Sequence, residues 1–304
     1  MTDTPSIYDD NWFTDANQLS PKVKEGLGQR STADVSKARA IVADFRKGSK
    51  QAFSHLDRGK VADVLDARLS DPNSFNQAHT WLCGIATFVR VWAFDHPVEY
   101  VKLAVNLFES GSGRLEGQAK YAGKPIVPSN ALKNCPPGLD MPQADWIVLA
   151  SIREAFNNVW GYTNDEGIFH IKAWNFPADV VNEFRAAGYT RIRNKANWTA
   201  PSGYDNLMEA SDLYDSDWRV ILLINDRLLD DKQIKGPGVI NTSNHWVGLD
   251  SDVIVTNYNG KQMLQQFDVY SWSGRITVPN WKEPKEIPLA TFNSCYFGFV
   301  AGHV

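Results

Sequence analysis

The sequence has only three cysteines in 304 residues, Cys83, Cys135 and Cys295, an odd number that cannot all pair within one chain. A disulfide framework is therefore not expected, and a reducing compartment suits the chain. No apolar run approaches the roughly 20 residues needed to span a bilayer. Basic charge is not in excess either: 31 Lys and Arg face 35 Asp and Glu, a net charge of −4. That balance lacks the phosphate-matching field of a nucleic-acid surface. The densest basic run, Arg191-Ile192-Arg193-Asn194-Lys195, alternates in the manner of one exposed strand face. The opening "MTDTPSIYDDNWF" lacks the basic and apolar regions of an ordinary signal peptide, so export would need a dedicated secretion machine. "ESGSGRLEG" lacks the GK[ST] ending of a phosphate loop, which removes the case for a bound nucleotide. No cofactor is expected.

What is present is an ordinary globular composition, 43% hydrophobic and 22% charged, with eleven tryptophans available for a core or a cleft wall. Residues 1 to about 30 read as an irregular lead-in. "STADVSKARAIVADFRKGSK" predicts a helix capped by Ser or Thr, striped by Ile41, Val42 and Phe45 and stopped at Gly48. "KVADVLDARLSD" predicts a second, with Val61, Val64, Leu65 and Leu69, before Asp71-Pro72-Asn73 breaks the chain. After Cys83, the spacing of Ile85, Phe88, Val89 and Trp92 fits a helix face. Another helix starts near Asp95, with Pro97 in its first turn and Gly111 beyond its last. The Gly- and Pro-rich stretch 109–140 predicts a long surface excursion. "QADWIVLASIREAFNNVW" predicts a further helix, and "PADVVNEFRAAGYTRIRN" a helix closed by Gly188 and then a strand. The final third ("DWRVILLIND", "NHWVGLDSDVIVTNY", "QQFDVYSWSGRIT", "SCYFGFVAGHV") reads as short strands between turns. Helices first and a mostly antiparallel sheet last predict an α+β fold.

The segment "NQAHTWLCGIATFVRVW" carries the chemistry. A free thiol titrates near 8.5, and a helix N-terminus favours its anion through unsatisfied N–H groups. Cys83 falls where such a helix should begin, and Gly84 after it lets a substrate approach the backbone. The Cys83 N–H and the Gln77 amide are candidate donors to an oxyanion. His245 leads an apolar strand downstream, where a general base would sit.

Gln77 six residues before a helix-start cysteine resembles the papain-like cysteine peptidase superfamily, and "CGIA" is similar to the CG-x-A start of its bacterial C39-like branches. The resemblance implies a papain-like fold, N-terminal helices packed against a C-terminal sheet. It makes Cys83 the nucleophile, His245 the base, Gln77 the oxyanion residue and Asp268 the third member. Asn257, Asp250 and Asp252 are rivals for that last role. "QQFDVYSWSG" also resembles the close of papain-like toxin and effector domains. That implies a protein or peptide substrate, synthesis in the cytoplasm, delivery by a secretion apparatus, and a cognate immunity or chaperone protein. The pattern departs in lacking the plant-type second cysteine and in placing His79 between Gln77 and Cys83. The expected division is an accessory helical region, 1–75, and a catalytic domain, 76–304.

Each residue has a plainer reading. Cys83 can be a small core residue, Cys135 a loop thiol and Cys295 part of the last strand. His79 and Cys83 share a helix face as metal ligands only if two more ligands appear, and none has the spacing. His96 belongs to a helix start, His55 and His170 lie in polar or aromatic stretches without partners, and His303 is nearly terminal. Trp246 and Trp272 serve as cleft walls or as packing. Peptidase, glutamine deamidase and transglutaminase-type acyltransferase all fit the triad, and a non-enzymatic interaction module retaining the fold is the alternative of another class.

Overall fold

The computed structural model describes residues 26–77, 82–117, 123–138, 140–156, 175–229, 245–258, 261–271, 274–278 and 287–304. Within them the chain is α+β, helices leading and antiparallel strands following. The first helix, α1 (Thr32–Lys47), begins where the Ser31 hydroxyl accepts from the Asp34 N–H at 3.2 Å. The second, α2 (Arg58–Ser70), is capped by Asp57, whose carboxylate accepts from Lys60 N–H at 2.8 Å. Pro72–Ser74 forms a single 3-10 turn, as the Asp-Pro-Asn break predicts. Helix α3 (Cys83–Asp95) is buried on every side from Gly84 to Phe94, more than the single apolar stripe of the sequence requires. Helix α4 (Pro97–Ser110) ends at Gly111, whose φ of 68° is a left-handed cap.

Two expectations change here. The Gly- and Pro-rich stretch after α4 is not merely an excursion: β1 (Gly113–Leu115) and β2 (Lys124–Ile126) pair antiparallel and bury Leu115 and Ile126, followed by the short α5 (Asn130–Lys133). Helix α6 (Gln143–Phe156) and α7 (Pro177–Ala186) follow, then β3 (Arg191–Asn194). The sequence reading overlooked α8 (Tyr204–Asp215), whose sparse apolar positions Leu207, Ala210 and Tyr214 are nonetheless buried.

The remaining elements are β4 (Arg219–Ile224), a 3-10 turn at Asp226–Leu229, β5 (His245–Leu249), β6 (Ile254–Tyr258), β7 (Lys261–Ser271), β8 (Gly274–Val278), β9 (Ile287–Pro288), α9 (Leu289–Asn293) and β10 (Tyr296–His303). Cys295 lies in the turn before β10 rather than in the strand. The sheet runs β3-β10-β4-β5-β7-β6, with β8 and β9 also paired to β7, and every pairing is antiparallel. Both faces are covered. Ile221, Leu223, Trp246 and Tyr270 join the helical core, while Leu222, Ile224, Val247 and Val269 pack with α8 and α9. That two-sided burial explains why β4 and β5 read as unbroken apolar runs.

The N-terminal helices share the main core. Val42, Phe45, Val61 and Leu65 belong to the same buried cluster as Phe88, Trp92, Leu107 and Trp146 of α3, α4 and α6. Residues 26–30 are likewise tied in: the Gly26 N–H donates to the Asp250 carbonyl at 2.9 Å, and Leu27 is buried. Among the described residues no helix is long and apolar enough to cross a membrane.

Candidate functional site

Cys83 opens α3, and no side chain caps that helix. The preceding residue, Leu82, is fully buried, and its carbonyl accepts from the Ala86 N–H at 2.8 Å, which fixes the first turn. The first-turn N–H groups of Cys83 and Gly84 act on the Cys83 sulfur rather than on a capping serine or aspartate. The helix lies against β5 through the Thr87 hydroxyl, which donates to the Trp246 carbonyl at 3.3 Å. His245 is the first residue of that strand, and Ile224 at the end of β4 is its register partner.

The result is a narrow, closely packed cleft lined by Gln77, Cys83, Ala86, Thr87, His245, Trp246, Tyr270 and Ser271. Three of the four residues picked from the sequence therefore meet in one place, although His245 lies far along the chain from Gln77 and Cys83. Gln77 arrives there through the segment after α2. The Asp145 carboxylate on α6 accepts from the Asn76 N–H at 2.9 Å, and the Tyr270 hydroxyl donates to the Phe75 carbonyl at 2.7 Å. Asp145 is itself held by Arg68 of α2, in a buried pair with bonds of 3.0 and 2.5 Å. An N-terminal helix thus helps set the glutamine.

Asp268 is placed differently from the expectation that it orients His245. Its carboxylate accepts from the Thr277 hydroxyl at 2.7 Å and pairs with Arg275 at 2.8 Å, both on β8, and it is not among the described residues lining the cleft. Ser271 takes the position beside the imidazole instead: its hydroxyl lies 2.6 Å from His245 Nε2, and both side chains are buried. The reason is the two-residue period of a strand. Asp268 shares parity with Tyr270, on the helical side, whereas Ser271 shares parity with Val269 on the opposite side, the parity on which His245 stands with Val247. Of the rivals, Asp250 pairs with buried Arg90 at 2.6 Å, and Asp252 lies in the loop between β5 and β6. Asn257 is on β6, the strand beyond β7 from β5. His79, His170 and Trp272 fall outside the described residues.

The electrostatics are those of a dry site. Burial pushes the Cys83 thiol up, opposed by backbone hydrogen bonds at Trp246, Gly84 and Cys83 itself. Burial pulls His245 down to about 4, opposed by the negative charge of Asp226. Asp226 acts on both groups, raising His245 and also raising Cys83. It follows Asn225 at the end of β4, two positions past the register partner of His245. Sequence reasoning missed Ser271 and Asp226. Neither has a motif of its own, and only strand register places them here.

The three cysteines are free. Among the described residues no group of three or more His, Cys, Asp or Glu is placed to hold a metal ion. Comparison of the chain with protein-family models, curated proteins and solved structures finds no match.

Proposed function

We propose that the protein is a cysteine hydrolase of papain-like architecture acting on a peptide or protein. The single observation that carries the reading is the meeting of Cys83, at an uncapped helix start, with His245 and Gln77 in one cleft. The Ser271 hydroxyl at Nε2 holds the imidazole of His245 in one orientation. A thiol raised and an imidazole lowered by burial rest as a neutral pair, so the proton moves when the nucleophile attacks.

In that step Cys83 Sγ bonds to the acyl carbon, the carbonyl electron pair moves to oxygen, and the thiol proton passes to His245. The Cys83 N–H and the Gln77 amide receive the oxyanion. The carbon–nitrogen bond then breaks as His245 returns the proton to the departing amine, leaving a thioester. Water, giving its proton to His245, hydrolyses the thioester to a carboxylic acid and restores the thiol. An amine in place of water would give acyl transfer, and a glutamine side chain in place of the peptide would give deamidation.

The likeness of the Asp268 segment to toxin and effector domains supports a chain made in the cytoplasm and carried out by a secretion apparatus, with an immunity or chaperone protein as partner. The test is site-resolved alkylation with iodoacetamide at neutral pH, read by mass spectrometry. Although burial raises its thiol, Cys83 is expected to react faster than Cys135, which is equally half-buried, because His245 takes the proton as the sulfur attacks; His245→Ala is expected to remove the difference. Equal, slow labelling would mark Cys83 as a packing residue and leave a non-enzymatic interaction module.

A further inference from the structure

Asn175 stands immediately before α7 and is buried. It touches both halves of the cleft from behind. A side-chain carbon placed on Gly84 would lie 2.7 Å from Asn175 Cβ and 3.0 Å from its Cγ, so the absent Cβ of Gly84 is what admits this side chain. The Asn175 carbonyl accepts from the Trp246 indole N–H at 2.8 Å. One residue therefore contacts the neighbour of the nucleophile and the neighbour of the base. Its amide Nδ2 donates in turn to Glu183 Oε1 on α7 at 2.8 Å.

Stability alone does not account for this pair. Glu183 is fully buried, and among the described residues two atoms of the pair, Asn175 Oδ1 and Glu183 Oε2, have no hydrogen-bond partner. Each orphan carries a desolvation cost that an apolar residue would not. Burial raises the Glu183 carboxyl to about 8, with Arg153 opposing and Asp179 reinforcing, so at neutral pH it serves as a hydrogen-bonding group rather than as a charge.

We infer that Asn175, fixed by Glu183, is a positioning residue that clamps the first turn of α3 to the head of β5 and so sets Cys83 against His245. The inference rests on the cysteine-hydrolase reading. Reacting groups must be held to a fraction of an ångström by neighbours whose own rotamers are locked. Asn175 is locked at three points: by contact at Gly84, by Trp246 and by Glu183.

The experiment is site-resolved iodoacetamide labelling of the full chain, with the Cys135 rate as internal reference. Glu183→Leu removes the acceptor for Asn175 and is expected to slow Cys83 labelling about tenfold, as small misplacements of reacting groups do. Glu183→Gln keeps an acceptor oxygen and is expected to restore the rate to within about twofold of wild type. A merely structural role would let both variants label at the wild-type rate once folding is matched, and that result overturns the clamp. Should Glu183→Leu not fold, the decision passes to Gly84. Gly84→Ala and Asn175→Gly are each expected to slow labelling, and the double variant to be no slower than Asn175→Gly alone, because both break the same contact. Additive losses in that pair overturn the clamp. A wild-type Cys83 no faster than Cys135 is a different failure, because it removes the hydrolase reading and the inference together.

Discussion

The Ser271 hydroxyl lies 2.6 Å from Nε2 of His245, in the place where the sequence reading put the carboxylate of Asp268. A hydroxyl fixes the tautomer and tilt of an imidazole but brings no full charge to the imidazolium. Ser271→Ala is therefore expected to slow Cys83 chemistry by roughly five- to tenfold, the worth of one hydrogen bond of about 1 kcal/mol. Asp268→Asn is expected to leave labelling of Cys83 unchanged, since that carboxylate serves Thr277 and Arg275. A greater loss with Asp268→Asn than with Ser271→Ala would restore Asp268 to the triad.

Cys83→Ala and His245→Ala are each expected to abolish acyl transfer while the chain stays folded, because nucleophile and base act as one unit. The double variant should then be no worse than either single one. Multiplying losses in single-turnover assays would separate His245 from the reaction.

Two buried groups should set opposing pH dependences of stability that cancel to a plateau between about pH 4.5 and 6.5 and leave a net fall above that range. His245 titrates at about 4 in the folded state against 6.5 ordinarily. The unfolded chain therefore takes up the proton first, and stability is lost as pH falls from about 6.5 towards 4. Glu183 is the reverse case: its folded value of about 8, against 4.5, means stability is lost as pH rises from about 4.5 through 8. At full extent the two effects amount to about 3 and about 5 kcal/mol. His245→Gln should replace that plateau with an alkaline limb starting near pH 4.5, and Glu183→Gln with an acid limb starting near pH 6.5, in denaturation midpoints measured against pH. An unaltered plateau would refute the assignment.

The N-terminal helices are expected to be indispensable rather than detachable. Phe45 packs edge-on against Phe108 of α4 at a centroid distance of 5.1 Å, so Phe45→Ala should cost about 3–5 kcal/mol. Asp145→Ala leaves Arg68 buried without its partner, a loss of about 3–5 kcal/mol, and also releases the Asn76 N–H beside Gln77. A fragment of residues 76–304 should accordingly fail to fold cooperatively. Limited proteolysis yielding a stable 76–304 piece would show otherwise.

Local chemistry made much of the architecture legible. Ser31 and Gly48 bracket α1, Pro97 and Gly111 bound α4, and short β-branched and aromatic runs between turns marked β3 to β8 and β10, because caps, turns and periodicity act within a few residues of chain. The same locality exposed Cys83 as a helix-start thiol with Gln77 before it. Where apolar residues were sparse, as in α8, or Gly and Pro crowded, as around β1 and β2, local signals gave no element; tertiary burial of Leu207, Leu115 and Ile126 made one. The identity of the group beside His245 was not a local matter at all. Asp268 and Ser271 stand three residues apart on one strand, and which of them reaches the imidazole depends on the register of β7 against β5. Asp226 and Asn175 come from segments with no motif, and pairing of β4 with β5 and packing of α7 behind α3 carry them to the cleft. Residue type and spacing act along the chain, whereas register and packing act across it, so the sequence proposed the nucleophile and only the folded structure chose its neighbours.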